Sequence, residues 1–143
     1  MAQQRPQIPA DMIEFNRMLI EDVRAHGGKA TVGPFAGREP MILTTKGRKS
    51  REPRSVVIGH TPHGEGIVVI ASNNGAPGDP HWYRNLLADP HATVELGAKK
   101  YGVVARTTEG EERDRMGALV EYFGRQQALT DRQIPVVVLE RIP

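Results

Sequence analysis

Lysine and arginine fill five of the nine positions in Lys46-Gly47-Arg48-Lys49-Ser50-Arg51-Glu52-Pro53-Arg54, and Glu52 is the single acid among them. Gly47 permits a tight reversal and β-prone residues flank the run, so the cations converge on a hairpin tip. Guanidinium forks beside a seryl hydroxyl complement phosphate or carboxylate oxygens, so the chemistry on offer is the grip of a small polyanion. The same residues also suit a solvated turn whose charges keep an edge strand from aggregating, and composition alone does not separate the two. A phosphate-binding P-loop does not fit. It needs Gly directly before the Lys and a helix after it, whereas Arg48 precedes Lys49 here and Pro53 follows.

A second constellation runs from Ser72 to Asn85, Ser-Asn-Asn-Gly-Ala-Pro-Gly-Asp-Pro-His-Trp-Tyr-Arg-Asn. An apolar segment opens into a Gly-rich loop whose backbone N–H groups lead to a helix start, a combination that cradles anions or planar electron-rich ligands. Trp82, the single tryptophan, lies here beside Tyr83; core packing explains it as well as ligand contact does. The five histidines do not make a metal site, because no acid stands at a recurrent ligand spacing from His60, His63, His81 or His91. Ser50, Ser55 and Ser72 are the only serines, and none sits in a Gly-x-Ser-x-Gly elbow, so nucleophilic hydrolysis is poorly supported.

These residues must be positioned by a mostly β chain. Residues 1–10 are polar with two prolines and read as a flexible arm. A helix is expected over 11–28, with Phe15, Leu19 and Val23 on one face, an Asp11–Glu14 capping box, and Gly27-Gly28 as its stop. Strands are expected at 41–45, 54–60, 67–72, 92–96, 101–107 and 136–140, with 61–66 a turn. The Ile67–Ser72 run, nearly all apolar, should be buried on both faces. Helices should cover 80–88 and, from a Thr108–Glu111 capping box, run to about Gln126 with Met116, Leu119, Val120 and Phe123 as the apolar stripe. About six mostly antiparallel strands with three helices suggest one domain over 1–143: a small closed or half-closed barrel flanked by helices.

Composition limits the rest. A chain of 143 residues with 38% hydrophobic and 25% charged content is long enough for one real core. The absence of cysteine removes disulfides, thiolate metal sites and thiol nucleophiles. A net charge of +2 is too weak for general nucleic-acid binding, so the positive charge is local and reads as a site. No apolar run is long enough to span a bilayer and no signal-like stretch opens the chain, so the expected location is cytoplasmic.

The order of three blocks carries a resemblance. Leu43-Thr44-Thr45-Lys46-Gly47-Arg48-Lys49-Ser50 with Pro53-Arg54, then Ser72 through Pro80-His81-Trp82-Tyr83-Arg84-Asn85-Leu86, then Thr130-Asp131-Arg132-Gln133-Ile134-Pro135-Val136-Val137, together resemble the deazaflavin-dependent nitroreductase family. The similarity runs from about Pro40 to the C-terminus. It implies a split β-barrel that binds reduced coenzyme F420, a 5-deazaflavin whose tail carries a phosphodiester and glutamates. By that resemblance Arg48, Lys49, Ser50 and Arg54 bind the phosphate and tail, with Lys46 close by. Val57 lines the ring pocket; Ser72, Asn73 and Asn74 face the ring; Trp82 and Asn85 close its edge. Ser72 is the candidate for polarising the reacting region, and the proton comes from Tyr122, another side chain or water.

Family members that reduce bulky nitro compounds carry several tyrosines on the C-terminal helix, where this chain has Val120, Phe123 and Gln126. A quinone, or an unsaturated lactone of the coumarin or aflatoxin type, is therefore the expected acceptor ahead of a nitro compound. An ordinary flavin-mononucleotide barrel and a non-catalytic coenzyme carrier are the competing readings. Docking on acidic lipid is disfavoured by Glu14, Glu21 and Asp22 on the first helix. A monomer or homodimer acting on small molecules is expected.

Overall fold

The computed structural model describes residues 12–143; the proposed arm and the capping residue Asp11 lie outside them. Seven strands form one sheet: β1 (Met41–Lys46), β2 (Pro53–Ile58), β3 (Thr61–His63), β4 (Gly66–Ile70), β5 (His91–Leu96), β6 (Lys99–Thr107) and β7 (Val136–Arg141). The helices are α1 (Met12–Ala25), α2 (His81–Ala88), α3 (Gly110–Leu119) and α4 (Phe123–Gln127). The strand order is β2-β1-β5-β6-β7-β4-β3, with every neighbouring pair antiparallel.

β2 and β3 are the two ends of that order, yet only Gly59 and His60 separate them in the chain. Three Cα steps reach at most about 11 Å. The sheet must therefore curl until its edges nearly meet, while no ladder joins β2 to β3. A half-barrel follows from connectivity.

The two-residue side-chain period divides each strand between the inner and outer faces. Inside lie Met41, Leu43, Ile67, Val69, Val94, Val103, Val137 and Leu139, plugged by Trp82, Tyr83 and Leu86 of α2. Outside, Val68, Ile70, Val136 and Val138 are covered by Met116 and Val120. A second outer cluster sets Ile42 and Val57 under Leu19, Ile20 and Val23 of α1. β4 thus has one cluster on each face, which is why its apolar run does not alternate with polar residues.

Four expectations change. The turn cluster at 61–66 contains β3, so there are seven strands rather than six; Thr61 and His63 pair with Val68 and Gly66 to make a tight hairpin. The C-terminal helix is not continuous to Gln126 but ends at Leu119 and restarts at Phe123. Thr108 does not cap it: its N–H and Oγ1 both donate to the Val136 carbonyl, at 2.9 and 2.8 Å, tying α3 to β7. Leu119, expected in the apolar stripe, is 45% exposed.

Candidate coenzyme site

β1 and β2 pair up to Lys46 opposite Pro53, so the basic run is a hairpin as expected. Two hydrogen bonds close the loop, Gly47 N–H to Glu52 O and Arg51 N–H to Gly47 O, both 2.8 Å. The left-handed residue is Arg51, with φ 67°, and not Gly47. Gly47 is needed for proximity: a Cβ there would lie 2.6 Å from Ser50 Oγ and 3.2 Å from Glu52 O. Lys46, Lys49, Ser50, Arg51 and Arg54 are exposed. Among the described residues none of these four cations has an ion pair, whereas Arg17, Arg24, Arg106 and Arg132 are all paired with carboxylates. Lys46 acts on the Asp89 carboxylate and Glu52 lies in the same turn, but the cations still outnumber these acids, and an anion placed among them relieves their mutual repulsion.

Arg48 is held differently. Its N–H and Nη1 both donate to Asn85 Oδ1, at 3.2 and 2.9 Å, and its Nη2 lies 3.3 Å from His81 Nδ1. Asn85, 3% exposed, uses Nδ2 to donate to Thr45 Oγ1 at 3.0 Å. One buried amide thus fastens the hairpin to α2 and brings the first two sequence constellations together. The requirement is strict, because a buried amide left unpaired is costly.

Ser72, half-buried, begins the loop, followed by a 3-10 turn at Asn73–Gly75. Asn73, at φ 50°, donates from Nδ2 to Gly78 O at 3.0 Å, so its amide closes the loop. Asn74 sits at the middle of the turn. Trp82 belongs to the inner core at 8% exposure, edge-to-face with Tyr83 at 6.2 Å. Val57 lies beneath α1, on the opposite face of β2 from Val56 and Ile58.

The C-terminal side chains have varied settings. Val120 is buried under α3. The Phe123 ring turns back to α3, against Gly117, with the Arg113 guanidinium 5.5 Å from its centroid. Gln126 keeps a buried Oε1 that has no partner among the described residues. Tyr122 packs against Gly59, where an added Cβ would meet its hydroxyl at 2.6 Å, so it spans the seam between β2 and β3. Burial holds the Tyr122 phenol above the ordinary tyrosine value. Next to Gly59 in the chain, burial pushes the His60 imidazole down, with Glu39 opposing. Arg132, which lay in the third sequence block with no role given to it, contacts Ala71, Ser72, Ala76 and Asp79. No group of three or more metal-ligating side chains occurs among the described residues.

Known proteins resemble this chain in sequence and fold. The F420H(2)-dependent quinone reductase family profile matches residues 15–141. An F420H(2)-dependent quinone reductase of Mycobacterium tuberculosis is 33% identical over 133 residues, covering 87% of this chain and 89% of the relative. A second M. tuberculosis protein, a putative F420H(2)-dependent quinone reductase, is 29% identical over 69% of this chain and 87% of its own length. Among solved structures, an F420-H2 dependent reductase superimposes with a TM-score of 0.63 at 33% identity, over 71% of this chain and 93% of the other. Another, described as a domain-swapped dimer, gives a TM-score of 0.66 at 31% identity over 87% and 96%. The chain belongs to the F420H(2)-dependent quinone reductase family, an oxidoreductase with a half-barrel fold whose cofactor is reduced coenzyme F420.

Proposed function

We propose that this chain reduces flat conjugated acceptors, quinones first and coumarin- or aflatoxin-type unsaturated lactones second, with the coenzyme tail held at the β1–β2 hairpin. The observation that carries the reading is the cluster Lys46, Lys49, Arg51 and Arg54 on one hairpin, exposed and with no ion pair within 4 Å among the described residues. That donor set fits a tail of phosphate and carboxylates, because each side chain adds a charge-assisted donor and none must first break an ion pair. Ser50 adds a hydroxyl at the same tip, and Arg48, braced by Asn85, extends the basic surface toward α2.

When bound, the deazaflavin supplies a hydride equivalent and not single electrons. The chain's own task is then placement, charge stabilisation and proton supply. Ser72 stands at the entrance of the loop, half-buried, where its hydroxyl polarises the reacting region; Asn73 shapes the loop and Asn74 stands at its tip. Asn85 and Trp82 act from beneath, by fixing Arg48 and by filling the barrel under α2. Val57 anchors β2 to α1. The Tyr122 hydroxyl, protonated and close to Gly59, is the group that hands a proton to the acceptor oxygen, so a quinone gains hydride and proton to become a hydroquinone. Gln126 Oε1 is buried, so it braces the wall from within and does not contact the acceptor. Val120 and Phe123 support that wall with apolar bulk. Nitro compounds are poorer acceptors, since the chain has one tyrosine in this wall.

The acceptors are small molecules, and neither nucleic acid nor an inserted segment enters the reading; no described helix is long and apolar enough to cross a membrane. The test is an anaerobic assay with reduced F420 and a panel of menadione, coumarin and a nitroimidazole. Menadione should be reduced fastest and the nitroimidazole slowest. A panel in which only the nitro compound oxidises the coenzyme overturns the acceptor assignment.

A further inference from the structure

Arg132 makes an unusual set of bonds for a residue with no place in the anion grip. Its Nη2 donates to the carbonyls of Ala71 and Ser72, at 3.2 and 2.9 Å, its Nε to that of Ala76 at 3.4 Å, and its Nη1 to Asp79 Oδ1 at 2.6 Å. These four acceptors span the loop from the end of β4 to the approach of α2. Ala71 is fully buried, so its carbonyl must find a donor within the protein. Its N–H is already given to Pro135 O at 2.9 Å.

The segment carrying Arg132 is itself locked. Gln127 Nε2 donates to Arg132 O at 2.6 Å while its Oε1 accepts from Ile134 N–H at 3.1 Å. Arg113 of α3 donates to Ile134 O at 2.7 Å. Rigid connections therefore run from α3 through Gln127 and the 130–134 segment to the Ser72–Asp79 loop.

We propose that Arg132 is a positioning residue: it gathers the loop's carbonyls, neutralises Asp79 and so presents the loop's other edge, with Ser72, to the coenzyme ring. This rests on the coenzyme reading above and adds a role to it. An arginine is required because one planar fork serves carbonyls and a carboxylate at once, whereas a lysine ammonium is a point donor that cannot reach all four. The role predicts a division of labour. Hairpin residues set how tightly the coenzyme binds; Arg132 sets how well it reacts once bound.

The test uses the full chain and the variants Arg132→Lys and Asp79→Asn. Without coenzyme, hydrogen exchange of amides 72–79 should rise in Arg132→Lys while β4 and β7 stay protected. With oxidised F420 the dissociation constant should stay within about threefold of the parent, but single-turnover hydride transfer from reduced F420 to menadione should fall roughly 30- to 100-fold, as expected for a misplacement of about 1 Å. Asp79→Asn should show the same pattern to a smaller degree, and decides the matter if Arg132→Lys does not fold. Unchanged loop exchange, or an unchanged transfer rate at saturating coenzyme, would overturn the role. A parent chain that binds no F420 would overturn the coenzyme reading and this role with it, and that is seen before any variant is made.

Discussion

Tyr122 reaches the seam of the half-barrel only because position 59 has no side chain. A Cβ at Gly59 would stand 2.6 Å from the phenolic oxygen but 3.4 Å from Cζ, an ordinary contact distance. Gly59→Ala should therefore cost about 1–3 kcal/mol by overpacking in the parent and far less in a Tyr122→Phe background, a non-additivity that a thermal-melt double-mutant cycle will show. Tyr122→Phe alone should slow menadione reduction by roughly 10²-fold if the phenol is the proton donor, with coenzyme affinity unchanged. Its pH dependence follows from burial. The folded-state phenol ionises above the ordinary tyrosine value, so the proton stays available through about pH 10. The matching stability contribution is present below that pH and is lost as pH rises through the folded-state value; Tyr122→Phe should flatten this alkaline fall in melting temperature.

At the scale of elements, Asn85 joins hairpin to helix with one amide. Asn85→Ala strands the buried Thr45 hydroxyl and frees Arg48, and should destabilise by about 1–3 kcal/mol in denaturant titration while weakening F420 binding. Replacing Leu43, fully buried in the inner cluster, by Ala should cost about 2–5 kcal/mol by the same measurement. Much of this level was legible in the residues. The basic hairpin, the doubly buried β4 and the short α2 follow from local signals: turn residues, an unbroken β-branched run and Pro80 before a helical pattern. β3 escaped because its Thr-Pro-His sequence is short, polar and proline-bearing, and gains strand form from pairing with β4. The break between α3 and α4 escaped as well, since Val120 and Phe123 keep helical spacing while the chain turns to bury one and face the other toward α3. Thr108 read as a cap because it precedes an acid by three residues, yet a carbonyl of β7 claims its hydroxyl. Arg132 carried a signal, in the Thr-Asp-Arg block, but its partners lie 53 to 61 positions away and no spacing rule reaches them.

Taken as a whole, the molecule carries a net charge of only +2, so its attraction for an anion comes from one end and not from the general surface. Exposed charges are screened over about 10 Å at 0.1 M salt and about 3 Å at 1 M, so F420 affinity should fall several-fold between low salt and about 0.5 M. A coenzyme held by its ring alone would show no such slope. The half-barrel brings hairpin, loop and C-terminal wall into one scaffold through few long-range bonds, chiefly those of Asn85 and Arg132. The most direct test is equilibrium titration of oxidised F420 into the parent and into the Lys49→Ala/Arg54→Ala variant, followed by the chromophore's fluorescence at low salt. The variant should bind roughly tenfold or more weakly for each charge-assisted bond lost, with a shallower salt dependence. Equal affinity and an equal salt slope in the two proteins would contradict the account, because the hairpin would then have no part in holding the coenzyme.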